Sequence, residues 1–176
     1  MDKRKCVLYV AMSLDGYIAD INGGVDWLNQ VQGDGSDNGF CEFSQTVDTV
    51  IMGRKSYEQI LTFGNWPYKD MDAYVFSQTL EKACENIKVV NRNAAEFLKD
   101  IRKNDGRDIW LLGGAELIDE FIKQNLIDEY IVSIIPTILG GGISLFKDNR
   151  PLTQLTLIKK ETFGDIVQVT YIRTED

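Results

Sequence analysis

The stretch Val50-Ile51-Met52-Gly53-Arg54-Lys55-Ser56-Tyr57-Glu58 governs how the rest of the chain is read. Three apolar residues with strand character run into one glycine, and a basic, hydroxyl-bearing turn then opens a helical pattern. The first turn of a helix leaves backbone N–H groups unpaired and carries about half a positive charge from the aligned peptide dipoles, so a phosphate docks there favourably. Arg54 and Ser56 add side-chain donors at the same edge. A glycine between strand and helix is also an ordinary turn residue, and basic residues in a first turn are often only solvated. The choice between a turn and an anion site depends on the other segments.

Outward from this junction, Asp48 to Gly53 reads as a strand and Arg54 to Thr62 as its helix. Asp108 to Leu112 repeats the design, delivering Gly113-Gly114 onto a helix whose Leu117, Ile118, Phe121 and Ile122 form one apolar stripe. Cys6 to Met12 is continuously apolar, as suits a central strand covered on both faces. Phe40 to Thr46 predicts a short helix, Asp72 to Ser77 and Ile87 to Val90 strands, Ala94 to Lys103 a helix, and Glu129 to Pro136 a strand. The segments 22–24, 33–39 and 140–142 are glycine-rich loops. Leu155 to Phe163 and Ile166 to Arg173 predict a hairpin around Gly164-Asp165. Strands alternate with helices to about residue 136, and only strands follow. The pattern predicts one α/β domain over residues 1–176, with a mostly parallel central sheet and an antiparallel C-terminal hairpin.

Composition narrows the chemistry. Lys plus Arg number 19 against 27 Asp plus Glu, a formal charge of −8, which disfavours nucleic acid and anionic membranes as partners. Histidine is absent, so there is no Ser-His-Asp or Cys-His catalysis and no His-ligated metal. Cys6, Cys41 and Cys84 are widely spaced and form no C-x-x-C pair, which fits a reduced, cytoplasmic chain with Cys6 as buried filler. The apolar run after Lys3-Arg4-Lys5 is too brief for a signal peptide, and no run reaches the ~18 residues of a membrane span.

Two helices that each follow a glycine should begin at the carboxyl edge of one parallel sheet, where ligands bind. A molecule with more than one phosphate, such as a dinucleotide, could span both junctions. The G-x-G-x-x-G fingerprint is missing, which disfavours a standard Rossmann domain.

Met52-Gly53-Arg54-Lys55-Ser56-Tyr57-Glu58, the strand end Val75-Phe76-Ser77 and Leu112-Gly113-Gly114-Ala115, in this order, resemble the dihydrofolate reductase-like superfamily. That superfamily includes the reductase domain of riboflavin biosynthesis. The resemblance covers nearly the whole chain and implies a three-layer fold and NADPH as cofactor. By position it assigns Gly53, Arg54, Lys55 and Ser56 to the 2′-phosphate side and pyrophosphate, and Ser77 to the adenosine end. Gly113, Gly114 and Ala115 would lie under the pyrophosphate, with Ala11 and Ile18 beside the nicotinamide. Gln78 stands where an Arg would give a second grip on a 2′-phosphate.

For the substrate, the resemblance offers Asp37, by an ungapped count back from Gly53, with Glu42 in reserve. Asp37 also reads as a helix-capping residue. Ser13-Leu14-Asp15-Gly16 and Pro136-Thr137-Ile138-Leu139-Gly140-Gly141-Gly142 look more like the riboflavin-pathway enzyme, whose substrate the first motif borders; Asp15 also reads as a turn residue. The Asp-Asp-Pro segment usual in that enzyme is replaced by Phe63-Gly64-Asn65-Trp66-Pro67. The expected activity is hydride transfer from NADPH to a C=N bond of a small heterocycle, as in 5-amino-6-(5-phosphoribosylamino)uracil reductase. A dihydrofolate or pterin reductase and a non-catalytic NADPH-binding protein are the alternatives. The proton would come from water or from Asp15 or Asp37 with a raised pKa. Trp27, Phe40 and Trp66 could wall a flat ring, and the apolar 129–136 strand with the terminal hairpin suggests a homodimer.

Overall fold

The computed structural model describes residues 3–31, 34–84, 86–150 and 152–174; Gly33, expected in a loop, lies outside them. Among the described residues ten strands and four α-helices follow in the order β1 (Cys6–Ser13), β2 (Tyr17–Ala19), α1 (Phe40–Thr46), β3 (Val47–Gly53), α2 (Arg54–Thr62), β4 (Asp72–Phe76), β5 (Ile87–Val90) and α3 (Ala94–Ile101). They continue with β6 (Asp108–Gly113), α4 (Ala115–Lys123), β7 (Glu129–Ile135), β8 (Ile143–Ser144), β9 (Leu155–Phe163) and β10 (Ile166–Arg173). A short 3-10 helix, Asp26–Gln30, lies in the loop after β2.

Eight strands form one sheet in the order β5-β4-β3-β6-β1-β7-β10-β9. The first six run parallel, and β10 pairs antiparallel with both β7 and β9. Cys6, Leu8, Ile51, Ile109 and Leu111 point to one face, where the stripes of α3 and α4 bury Phe97, Leu98, Ile118 and Phe121. Val7, Val50, Met52, Val75 and Trp110 point to the other, against Phe43 of α1 and Tyr57 of α2. Period-2 strands between 3.6-period helices therefore give three layers, as the resemblance implies.

The two strands of the hairpin differ. In β10 Ile166, Gln168 and Thr170 are buried, whereas β9 is the open edge of the sheet and is exposed over most of its length. Leu157 and Ile158 are exposed beside Lys159 and Lys160, and the pairing shifts register there, a charged and bulged edge that resists casual strand addition.

The glycine run 140–142 has a structural task. β8 pairs with β2 across it, and a Cβ on Gly142 would stand 2.2 Å from the Ala19 carbonyl oxygen. A side chain there would push the two segments apart.

Candidate active site

Three helices begin at the carboxyl edge of the parallel strands, and their first turns are treated differently. In α3 the Asn93 side chain caps the end, accepting from the N–H groups of Ala95 and Glu96. In α2 and α4 the capping positions are Gly53 and Gly114, and among the described residues no side chain bonds their first N–H groups. Because β3 and β6 are neighbours, these two uncapped ends abut. A Cβ on Gly53 would lie 3.8 Å from the Gly114 nitrogen, and one on Gly114 would lie 3.1 Å from Ser56 Oγ. The register passes from Ile51–Leu111 to Met52–Gly113, so Leu112 is an extra residue that brings Gly113 level with Met52. The Gly113–Gly114 peptide is cis.

The strand order reverses its direction of growth between β3 and β6, so the abutting ends sit at the topological switch point. Beside them the sheet splits. Pairing of β1 with β6 stops at Leu8–Leu111, while β1 runs on to Ser13 paired only with β7. Val10, Ala11 and Met12 on the β1 side of the split are partly accessible. Ala11 packs toward the cluster of Trp27, Ile135 and Ile166, and Ile18 of β2 toward the opposite face.

Arg54 and Lys55 are exposed at the start of α2. Arg54 Nη1 donates to Thr79 Oγ1 at 3.1 Å, and Arg54 Nε lies 3.6 Å from Glu58 Oε1. Ser77 Oγ, at the end of β4, accepts from the N–H groups of Thr79 and Leu80 at 3.2 and 2.9 Å. Thr79, the partner of Arg54, is a residue that no sequence motif marks. A hydroxyl three residues beyond a strand end gives no local signal, and only folding carries it to Arg54.

The donor set fits a dinucleotide phosphate. Two uncapped helix ends supply backbone N–H groups, Ser56 a hydroxyl, and Arg54 with Lys55 the cations, all along one edge.

The two substrate-side candidates lie elsewhere. Asp15 Oδ1 accepts from Ser13 Oγ at 2.6 Å and from Leu139 N–H at 3.1 Å, and Oδ2 accepts from Gly140 N–H at 2.8 Å. It clips the turn after β1 to the glycine run. The Ser13 hydroxyl first, and the two loop N–H groups with it, hold its carboxyl below the usual aspartate range. The raised pKa expected for Asp15 is therefore corrected: donors surround it, and donors favour the ionised form. Asp37 is exposed; its Oδ2 accepts from Cys41 N–H at 2.6 Å and its Oδ1 from Gly39 N–H at 3.1 Å, which tie down the start of α1. Glu42 is exposed on α1, 3.9 Å from Lys159 Nζ.

The aromatic candidates separate into two groups. Phe40 packs with Tyr9 and Trp110, and Trp66 with Tyr57 and Tyr68, in one cluster between α1, α2 and the sheet. Trp27 is buried in another cluster, with Ile135 and Ile166. A groove of about 290 Å³ runs beside α1, lined among others by Lys5, Glu42, Asp108, Glu129 and Lys159. It opens toward the amino ends of β1, β6 and β7, away from the helix termini. The candidate site is at the termini, because that is where donors converge. Among the described residues no group of Cys, Asp and Glu is arranged to hold a metal ion, and no helix is long and apolar enough to cross a membrane.

The fold, with two helix ends meeting at its switch point, is that of an α/β protein of the dihydrofolate reductase-like class. The family model of the RibD C-terminal domain matches residues 4–169, and the chain belongs to that family. YwjB of Bacillus subtilis (strain 168) is 43% identical over 173 residues, spanning 97% of this chain and 99% of its own. The crystal structure of a protein named for riboflavin biosynthesis from Shewanella sp. PV-4 superposes with a TM-score of 0.88 at 31% identity, covering 97% of this chain and 99% of that one. The deaminase/5-amino-6-(5-phosphoribosylamino)uracil reductase of Thermotoga maritima gives a TM-score of 0.71 at 15% identity, over 98% of this chain and 57% of that one. Dihydrofolate reductase from Enterococcus faecalis, complexed with NADP(H), gives 0.67 at 17% identity, over 97% of each chain.

Proposed function

We propose that the protein is an NADPH-dependent reductase acting on a small heterocycle, with a ribosylaminopyrimidine phosphate as the substrate class. The observation that carries this reading is the pair of abutting, uncapped helix ends beside the split between β1 and β6. A pyrophosphate would lie on the N–H groups of α2 and α4, with Gly53, Ser56, Gly113, Gly114 and Ala115 around it. Arg54, Lys55 and Ser77 would take the adenosine end. When bound, NADPH supplies the hydride. Ala11 and Ile18 would border the ring that carries it, at the split, where apolar walls exclude water.

Asp15, held ionised, acts by fixing the loop that closes the substrate side rather than by giving up a proton. Water then supplies the proton, and Asp37, exposed at the start of α1, is the carboxylate assigned to the substrate. Membership of the RibD C-terminal domain family supports the substrate class.

The test is a titration with NADPH followed by nicotinamide fluorescence, then its oxidation in the presence of either a ribosylaminopyrimidine phosphate or dihydrofolate. We expect binding, and turnover with the first substrate only. Turnover with dihydrofolate alone would move the assignment to a pterin reductase. Binding without turnover on either would favour a non-catalytic cofactor protein, and no binding at millimolar NADPH would sink the reading.

A further inference from the structure

The helix termini account for a pyrophosphate, whereas the surroundings of Arg54 concern the far end of the same cofactor, so a role for them rests on the NADPH reading. Arg54 is exposed, and a long side chain at the start of a helix would normally sample many rotamers. Here it is bracketed. Thr79 Oγ1 accepts from Nη1 at 3.1 Å on one side, and Glu58 Oε1 stands 3.6 Å from Nε on the other. Thr79 is itself held by the turn after β4: its N–H donates to Ser77 Oγ at 3.2 Å, and Ser77 N–H donates to the Val90 carbonyl at 3.0 Å. The main chain that carries the hydroxyl is therefore tied through Ser77 to β5.

Stability does not explain the arrangement, because exposed pairs of this kind contribute little. Recognition does. A guanidinium carries five N–H donors, and the Thr79 bond and the Glu58 contact leave others available on its outer edge. A phosphate on the ribose offers a dianion to that edge, whereas a plain ribose offers a neutral diol. Glu58 repels the first and not the second, and Gln78 adds no charge to either.

We infer that Thr79 is a positioning residue that presents Arg54 to the 2′-phosphate, and that Glu58 opposes the same contact. Together they set how strongly NADPH is preferred over NADH. The experiment measures dissociation constants for both cofactors, by calorimetry, for the wild type and for Thr79→Val, Thr79→Ser and Glu58→Gln.

Thr79→Val should lose roughly fivefold in NADPH affinity with NADH unchanged, the effect of one hydrogen bond that orients a charged group. Thr79→Ser keeps the hydroxyl and should match the wild type. Glu58→Gln should bind NADPH about twofold tighter at low salt, with the gain fading as salt screens the charge. If Thr79→Val weakens both cofactors equally, or serine fails to restore NADPH, Thr79 is only a turn residue and the inference falls. An unchanged NADPH affinity in Glu58→Gln removes Glu58 from it. A wild type that binds NADPH while the variants keep its cofactor ratio defeats this inference alone, whereas a wild type that binds neither cofactor defeats the NADPH reading as well.

Discussion

At the amino ends of the strands the strong side-chain donors are spent inside the protein, whereas at the carboxyl ends of β3 and β6 they are left facing outward. Arg4, 9% exposed, donates to the carbonyls of Arg107 and Ile101, to Thr49 Oγ1 at 2.7 Å and to the Asp48 carboxylate. It binds β1, β3 and β6 together at one corner. Arg102 pairs with Asp128, which also takes the Cys6 N–H at 2.7 Å. At the opposite edge α2 and α4 start on glycines with no capping side chain, and the sheet parts between β1 and β6. Satisfied polar groups rigidify an edge, and unsatisfied donors have a use only when something comes to meet them. One edge of the sheet holds the fold, and the other carries the donors that the proposed function gives to an anion.

Substitutions at the two edges should therefore separate stability from binding. The largest effect is expected for Arg4→Ala, which removes a buried guanidinium from the Asp48 carboxylate and the Arg107 and Ile101 carbonyls, leaving Asp48 with the Arg107 N–H and the Thr49 hydroxyl. It should cost about 3 kcal/mol in urea unfolding, with NADPH affinity intact in the folded fraction. An equal loss of affinity would blur the division between the edges.

Gly114→Val should do the reverse. Its new side chain meets Ser56 Oγ and crowds the start of α4, so NADPH affinity should fall about tenfold, or about 1.4 kcal/mol. The backbone there is in a region open to any residue, at φ −85, so the melting temperature should change little. A variant that unfolds instead would make this junction a structural turn and nothing more.

The smallest effect belongs to Asp15→Asn, and it carries a pH signature. The folded carboxyl titrates below its ordinary value of 3.8, so its contribution to stability is present above that pH and is lost as pH falls through the lower folded value. Melting curves of wild type and Asp15→Asn should differ most near neutrality and converge in acid. A gap that widened in acid would mean that the loop clip does not act through the ionised carboxylate.

The carboxyl edge was partly legible before folding. Both glycine junctions could be found because each is local: an apolar run, a glycine and a helical stripe lie within about ten residues. The helix Phe40–Thr46, the hairpin strands and the start of α2 fall where periodicity put them. The helix predicted over residues 94–103 stops at Ile101, and β2, β8 and the 3-10 helix gave no usable pattern, because these short elements sit among glycine-rich turns without the apolar run that marks β4 and β5. Asp15 could be noticed, but not its role. Its partners at Leu139 and Gly140 lie more than a hundred residues away, and they reverse the direction in which its pKa was expected to move.

The sequence by itself determined the order and type of the long elements, the absence of imidazole chemistry and the two glycines that open α2 and α4. These depend on side-chain periodicity, composition and backbone freedom, all of which are local properties. Only the tertiary structure decided that β3 lies beside β6, so that the two helix ends form one surface, and that β1 leaves β6 at Leu8. It alone set Thr79 against Arg54. Strand order and splay follow from the burial of two faces at once, a global balance that no segment encodes in its own residues.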